Sequence, residues 1–173
     1  MVRETQRGKI EGIFIHQTAD VEEPVYIGEG TKIWRFCHVE RYAKIGRSVM
    51  LGMGVHIGNG VEIGDYTRIQ DYCVLYRGVK IGRACFLGPR VTFTNVKVPK
   101  IFRTAKFYDT VVEDNVTIGA GSIIICGITI GEHCFIGAGT VVTKDIPPYS
   151  LVVGNPGRII KTLSPNWEEF DGK

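Results

Sequence analysis

Residues 55–70, VHIGNGVEIGDYTRIQ, place an aliphatic side chain at every sixth position and often follow it with glycine. An unbroken series of such positions runs from Ile15 to Phe93, and a second runs from Val112 to Val142. A six-residue period fits neither a helix nor a simple alternating strand, but it fits short strands joined by corners that glycine tolerates. The sequence therefore predicts an all-β solenoid, a parallel β-helix of hexapeptide repeats.

The position two residues before each aliphatic is a second predicted inward position, and it is nearly always occupied by a small side chain. Four of the five cysteines occupy it: Cys37, Cys73, Cys85 and Cys134. An odd number of cysteines without a CxxC motif favours a reducing compartment over a disulfide framework. These four are therefore predicted to be core residues rather than nucleophiles or metal ligands. Cys126 lies outside the pattern and has no predicted role.

Length and composition indicate one β-helix domain, residues 1–154, followed by a tail, residues 155–173, that is predicted to begin as a helix at Asn155. The net charge of +3 is too small to favour nucleic acid as a partner. No apolar run approaches the roughly 18 residues of a membrane span, and the first residues lack the apolar core of a signal peptide. We therefore expect a soluble, cytoplasmic protein with no membrane partner.

The quoted stretch and residues 116–160, VTIGAGSIIICGITIGEHCFIGAGTVVTKDIPPYSLVVGNPGRII, resemble the hexapeptide-repeat acyltransferases, and the resemblance covers nearly the whole chain. It implies a left-handed β-helix with three hexapeptides in each triangular coil, and a homotrimer with active sites between subunits. Residues 18 apart should then stack on one face.

Residues 88–95, GPRVTFTN, followed by a basic loop, are similar to N-acetyltransferases that act on the 3-amino group of nucleotide-linked sugars. The similarity is greatest to the UDP-2-acetamido-3-amino-2,3-dideoxyglucuronate N-acetyltransferases, where Gln70 and Tyr76 match a further segment and Asp71 and Tyr72 depart from it. The loop departs as well, since it is shorter and its basic residues fall differently. These departures bear on the identity of the sugar more than on the reaction.

The histidines and the polar residues beside them suggest where an active site lies. His38 and His56 each precede an inward aliphatic and are 18 residues apart, so they should point outward and stack on adjacent coils. Next to them, one predicted column contains only polar residues: Arg41, Asn59, Arg77 and Asn95. Asn95 ends this column where the repeat stops. The six-residue repeat resumes out of phase after this point. This change predicts that a loop takes the place of a coil.

The predicted loop, about 96–110, protrudes from an otherwise regular solenoid, and loops of this length on rigid scaffolds commonly carry function. Its basic residues are Lys97, Lys100, Arg103 and Lys106, and its aromatic residues are Phe102, Phe107 and Tyr108. We interpret it as a lid over an anionic substrate, with a tolerated insertion as the alternative. The predicted substrate-binding residues are Gln70, Tyr76, Arg77, Arg103 and Lys106.

The predicted catalytic residues are Asn95 and His38. The loop contains no histidine, which matters little if the acceptor is an amine that is already partly unprotonated. Asn95 is expected to orient that amine, and His38, which could come from a neighbouring subunit, is expected to act as a polar partner or auxiliary base.

The two IGAG motifs, residues 118–121 and 136–139, indicate the position of the acetyl donor. They are 18 residues apart, so Ala120 should stack on Ala138 and leave a smooth edge. The resemblance implies that the pantetheine arm of acetyl-CoA lies there and that Lys144 and Arg158 contact its phosphates. The predicted cofactor-binding residues are Gly119, Ala120, Gly137, Ala138, Lys144 and Arg158, and no metal is expected.

Three other functions fit parts of the pattern. One is O-acetylation of another small acceptor, which would require a well-placed base. A second is a metal-dependent β-helix protein of the carbonic-anhydrase type, with His38 and His56 as zinc ligands. Against it, Asp20 and Val74 complete the histidine column instead of a third histidine, and no acidic partners are expected nearby. The third is a purely structural solenoid.

Overall fold

The computed structural model describes residues 12–101 and 106–164. These residues wind into a parallel β-solenoid whose coils pass through three sheets in turn. Nothing within them forms a helix of the length and apolarity that a membrane span requires. The three sheets are named faces A, B and C, and the turns that join them are named the A–B, B–C and C–A corners.

Most strands are only two residues long, as a hexapeptide repeat requires. Face A contains β1 (Phe14–Ile15), β4 (Lys32–Ile33), β7 (Met50–Leu51), β10 (Arg68–Ile69), β13 (Phe86–Leu87), β16 (Thr117–Ile118), β19 (Phe135–Ile136), β21 (Ser150–Val153) and β22 (Arg158–Thr162). Face B contains β2 (Asp20–Val21), β5 (His38–Val39), β8 (His56–Ile57), β11 (Val74–Leu75), β14 (Thr92–Phe93), β17 (Ile123–Ile124) and β20 (Val141–Val142). Face C contains β3 (Tyr26–Ile27), β6 (Lys44–Ile45), β9 (Glu62–Ile63), β12 (Val79–Ile81), β15 (Thr110–Val112) and β18 (Thr129–Ile130).

The predicted inward aliphatics form the core that runs along the solenoid axis. The largest fully buried side chains include Phe93, Ile57, Ile69 and Ile118. All five cysteines are free and buried, which confirms the core prediction for the four that fit the repeat. Cys126 is buried as well, and its backbone N–H donates a hydrogen bond of 2.9 Å to Thr94 Oγ1.

The protruding loop lies between β14 and β15. It is an insertion, because the strands on either side of it follow the regular order of faces. Paired residues differ by 18 before the loop, as in Leu75↔Phe93, and by 31 across it, as in Phe93↔Ile124. β14 belongs to face B and β15 to face C, which is the normal succession. The prediction that the loop takes the place of a coil is therefore wrong, because every face keeps its strand and the loop simply adds residues at the B–C corner.

The predicted C-terminal helix is also wrong over the described residues. Arg158–Thr162 form β22, which pairs antiparallel with β21 along the edge of face A. Two physical causes favour the strand. The β-branched residues Ile159, Ile160 and Thr162 suit an extended backbone, and the last coil offers unpaired backbone groups that a strand can satisfy. Residues 165–173 of the predicted tail lie outside the described part of the chain.

Candidate active site

The two predicted histidines do stack on face B. His38 in β5 pairs with His56 in β8, and their ring centroids are 5.3 Å apart. His56 also contacts Tyr76, one coil further along, at 5.5 Å between ring centroids. The outward orientation and the stacking that the numbering predicted are therefore confirmed.

Carboxylates surround these histidines, contrary to the prediction that no acidic partners lie nearby. His38 Nε2 lies 3.5 Å from Glu22 Oε1 and 3.8 Å from Asp20 Oδ2. His56 Nε2 lies 3.4 Å from Glu40 Oε1. The prediction failed because it considered only residues in the histidine column, whereas Glu22 and Glu40 each follow the inward residue of a strand and reach back from the B–C corner.

Hydrogen bonds hold two of these carboxylates in place. Glu22 Oε2 accepts hydrogen bonds from Arg41 N, at 3.3 Å, and from Arg41 Nε, at 3.2 Å. These bonds keep the pKa of Glu22 below its ordinary value. Glu40 Oε2 accepts a hydrogen bond of 2.9 Å from Asn59 N. Each glutamate therefore binds the next coil of the B–C corner with one oxygen and faces a histidine with the other.

His56 is the more sheltered of the two histidines. Its side chain is 24% exposed, against 40% for His38. Burial lowers the pKa of His56; the Glu40 carboxylate opposes this shift and His38 adds to it. Burial therefore favours the neutral form of the His56 imidazole.

The loop is anchored at the B–C corner, two coils beyond His56. Asn95 is half-buried, and its backbone oxygen accepts a hydrogen bond of 3.1 Å from Tyr108 N, which closes the loop onto itself. Thr94 joins the same corner to the coil above through the bond to Cys126 described earlier. The strand pairing confirms the predicted column of Arg41, Asn59, Arg77 and Asn95. Cys126 and Lys144 extend this column beyond the loop.

Cations and aromatic rings alternate where the loop meets this corner. Arg77 lies over the Phe107 ring, with Cζ 5.5 Å from the centroid. Lys97 Nζ and Lys106 Nζ lie 4.8 and 5.2 Å from the centroid of Tyr108. Within the described part of the chain, none of these three cations forms an ion pair with a carboxylate. Their charge is therefore available to an anionic ligand.

The A–B corner, at the other edge of face B, has small side chains in its upper coils, which are those nearer the C-terminus. Lower on this corner, the N–H of Met53 donates to Asp71 Oδ1 of the next coil at 2.8 Å. The corresponding positions further up are Ala120, Ala138 and Gly154, none of which has a side-chain acceptor. The N–H groups of Ala120 and Ala138 therefore lack this cap. Small, exposed residues here give a ligand direct access to the backbone.

The predicted site residues are divided between these two corners. Gln70 lies at the A–B corner and lines a cavity of about 430 Å³ with Trp34 and Met53. Arg158 lies near the top of the A–B corner, since it follows Gly157, whose N–H donates to Val141 O. Lys144, by contrast, lies at the B–C corner, across face B from Ala120 and Ala138.

The B–C corner holds the remaining described residues of the predicted acceptor site, namely Asn95, Tyr76, Arg77 and Lys106. Arg103 lies outside the described residues.

Within one chain His38 and Asn95 are far apart. The outward residue of face B at the level of Asn95 is Thr92, and three strand spacings separate it from His38. At about 4.8 Å for each spacing, the separation along the axis is roughly 14 Å. A single amine therefore cannot contact both side chains of the same chain.

The family profile described as bacterial transferase hexapeptide (six repeats) matches residues 42–77 and 109–144. Both matched segments consist of hexapeptide repeats. The gap between the two matched segments contains the loop and its anchoring corner. This agrees with the strand pairing, which shows that the repeat itself is continuous on either side.

The chain is similar to acetyltransferases over part of its length. The dTDP-3-amino-3,6-dideoxy-alpha-D-galactopyranose 3-N-acetyltransferase of Aneurinibacillus thermoaerophilus is 53% identical over 53 residues, which are 31% of this chain and 28% of the relative. The 2,3,4,5-tetrahydropyridine-2,6-dicarboxylate N-acetyltransferase of Brevibacillus brevis is 47% identical over 53 residues, which are 31% of this chain and 22% of the relative. The chain spans less than half the length of the curated relatives it matches.

Among solved structures, a hexapeptide-repeat acetyltransferase of Vibrio cholerae in complex with acetyl coenzyme A superposes with a TM-score of 0.63. It is 29% identical, and the superposition covers 71% of this chain and 72% of the other. The similarity therefore includes most of both solenoids rather than a few repeats.

Proposed function

We propose that this protein is an acetyl-CoA-dependent N-acetyltransferase that acetylates the 3-amino group of a nucleotide-linked sugar, a UDP- or dTDP-sugar, for surface polysaccharide biosynthesis. The observation that supports this most strongly is the arrangement of two unlike corners on the edges of one narrow face. Among the described residues, the B–C corner offers Asn95 beside aromatic rings and cations without ion pairs, and the A–B corner offers backbone N–H groups without a side-chain cap. The name of the Aneurinibacillus thermoaerophilus relative, a dTDP-sugar 3-N-acetyltransferase, agrees with this proposal.

The donor is assigned to the A–B corner. The amide carbonyls of a pantetheine arm can accept hydrogen bonds from the uncapped N–H groups of Ala120 and Ala138, beside Gly119 and Gly137. We assign to Arg158, near the C-terminal end of the same corner, a contact with the phosphates of coenzyme A. Lys144 lies at the opposite corner. Its proposed contact with coenzyme A therefore requires either that the donor extends across face B or that Lys144 belongs to another subunit.

The acceptor is assigned to the B–C corner. The diphosphate of a nucleotide sugar carries the negative charge that Arg77, Lys97 and Lys106 can bind, and the exposed ring of Phe107 offers a stacking surface. The side-chain oxygen of Asn95 accepts a hydrogen bond from the acceptor amine and directs its lone pair towards the thioester.

The reaction is a direct transfer. The amine nitrogen attacks the thioester carbonyl carbon, a C–N bond forms, and the C–S bond then breaks to release the coenzyme A thiolate. The proton lost by the nitrogen passes to the thiolate or to water. Positioning two bound reactants provides most of the rate enhancement, so no strong base is needed. His38 and Asn95 of one chain are roughly 14 Å apart along the axis. His38 can therefore act as a polar partner or auxiliary base only if a neighbouring subunit supplies it.

This requirement agrees with the proposed homotrimer with active sites between subunits. Light scattering of the purified protein would test it, since a monomer that transfers acetyl groups at full rate would remove His38 from the mechanism.

A panel of UDP- and dTDP-linked 3-amino sugars, incubated with acetyl-CoA while free thiol is measured, tests the proposed acceptor. We expect thiol release with at least one amino sugar and none with its 3-hydroxyl counterpart. If no sugar in the panel causes thiol release while calorimetry still shows coenzyme A binding, the proposed acceptor class is refuted but the donor site is not.

Asn95→Ala tests the orienting role. We expect kcat/KM to fall by about 100-fold, the cost of a misplaced reactant, with the affinity for coenzyme A unchanged. Asn59→Ala is the matched control, because Asn59 occupies the same column two coils lower. Wild-type kcat/KM in Asn95→Ala would refute the assignment.

A further inference from the structure

Two histidines and a glutamate converge on face B, below the level of the loop. One potential ligand atom from each of His38, Glu40 and His56 lies within 4.8 Å of the other two. The two histidines lie on adjacent paired strands, and Glu40 follows β5 directly. All three side chains are half-buried and are carried by a rigid stack of coils.

The spacing between two of these atoms matches the coordination geometry of zinc. In a tetrahedral site with ligands at about 2.0–2.1 Å from the metal, neighbouring ligand atoms are about 3.4 Å apart. His56 Nε2 and Glu40 Oε1 are 3.4 Å apart. A metal ion could therefore be bound by both atoms without any change in their separation.

His56 Nε2 has no hydrogen-bond partner within the described residues and no contact with solvent. Its distance to Glu40 is that of an ion pair, but the geometry is not that of a hydrogen bond. A buried polar atom without a partner costs about 1–3 kcal/mol, which a metal–ligand bond would offset. Coordination at this atom would therefore disrupt no hydrogen bond that the described residues make.

The surroundings of His38 complete the site. Its Nε2 faces Glu22, at 3.5 Å, and Asp20, at 3.8 Å. A carboxylate beside a coordinating imidazole can fix the orientation of the ring or supply a further ligand. The surplus of negative charge on this part of face B, only partly offset by Arg41, also favours a dication.

We propose that His38, Glu40 and His56 bind a transition-metal dication of the zinc class. Two imidazole nitrogens and one carboxylate oxygen suit Zn²⁺, whereas Mg²⁺ and Ca²⁺ prefer sites made of oxygen ligands alone. Three protein ligands leave one position for water or for a ligand from outside the chain. The site is independent of acetyl transfer except at His38, where a bound metal and a proton-accepting role for the same nitrogen exclude each other.

The test is equilibrium dialysis of the metal-free full chain against Zn²⁺, with Mg²⁺ in parallel, followed by metal analysis. We expect about one Zn²⁺ per chain and no retained Mg²⁺. His56→Gln, His38→Gln and Glu40→Gln should each weaken Zn²⁺ binding at least tenfold, since even changes outside the ligand set commonly cost about 10- to 100-fold. His16→Gln is the matched control. His16 is bonded to Thr18 and Arg35 at the A–B corner, away from this cluster.

A second measurement on the wild-type chain covers the case in which a variant fails to fold. Zn²⁺ titration followed by NMR of the imidazole resonances should perturb those of His38 and His56 and leave that of His16 in place. The proposal is overturned if wild-type protein retains no Zn²⁺, if the His38→Gln/His56→Gln double variant binds as tightly as wild type, or if the His16 resonance responds equally. None of these outcomes depends on acetyltransferase activity, so they separate this site from the proposed function.

Discussion

Gly119 and Gly121 flank Ala120 at the A–B corner, and replacing each with alanine should have very different effects. A Cβ at Gly119 would lie within 2.8 Å of Ala138 Cα and of Gly137 C, both backbone atoms of the next coil. A Cβ at Gly121 would meet nothing within 4 Å, although its φ of +68° is costly for a residue with a side chain. The pair therefore separates a clash between coils from a local backbone cost at almost the same place.

The magnitudes follow from these contacts. Gly121→Ala carries only the left-handed backbone penalty, about 1–2 kcal/mol. Gly119→Ala must push the next coil away, and overpacking against a close-packed neighbour costs up to about 3 kcal/mol. The shift also strains two ladder hydrogen bonds, Gly119 N to Ile136 O and Gly139 N to Ala120 O, each contributing about 1 kcal/mol. The total for Gly119→Ala is about 5 kcal/mol.

Scanning calorimetry measures the difference as a shift in Tm, which suits a solenoid whose unfolding need not be two-state. For a chain of this length 1 kcal/mol corresponds to about 2–4 °C, so Tm should fall by roughly 10–20 °C in Gly119→Ala and by roughly 2–8 °C in Gly121→Ala. Gly119→Ala should also weaken coenzyme A binding by about tenfold in calorimetry, because the coil that carries Ala138 moves. Equal melting temperatures for the two variants would refute the reasoning.

Two further predictions concern the loop and the core. Replacing both Lys97 and Lys106 with alanine should raise KM for an anionic acceptor and leave the Kd of coenzyme A unchanged, because these cations flank Tyr108 at the B–C corner. Steady-state kinetics measures the first effect and calorimetry the second. An unchanged KM would show that the loop does not bind the acceptor. Burial raises the pKa of both Cys73 and Cys85 to about 11, so each remains a neutral thiol up to a pH near that value. Iodoacetamide at pH 8 should therefore label them only after denaturant is added, and rapid labelling of the native protein in mass spectrometry would contradict their placement in the core.

The sequence by itself determined the solenoid and its inward residues. A period of six with a small residue two positions before each aliphatic can be satisfied in few ways, because both side chains must enter one narrow core. Counting by 18 then placed His38 over His56 and Ala120 over Ala138, and the strand pairing confirms both. These predictions succeeded because in a repeat structure a contact between coils is a fixed distance along the chain.

Only the tertiary structure decided what lies beside these columns. Glu22 and Glu40 reach the histidines from the neighbouring corner, and side-chain direction at a corner is not encoded in the repeat period. The tail departed from its helical prediction for a related reason, since the open edge of β21 provides hydrogen-bond partners that local sequence cannot reveal.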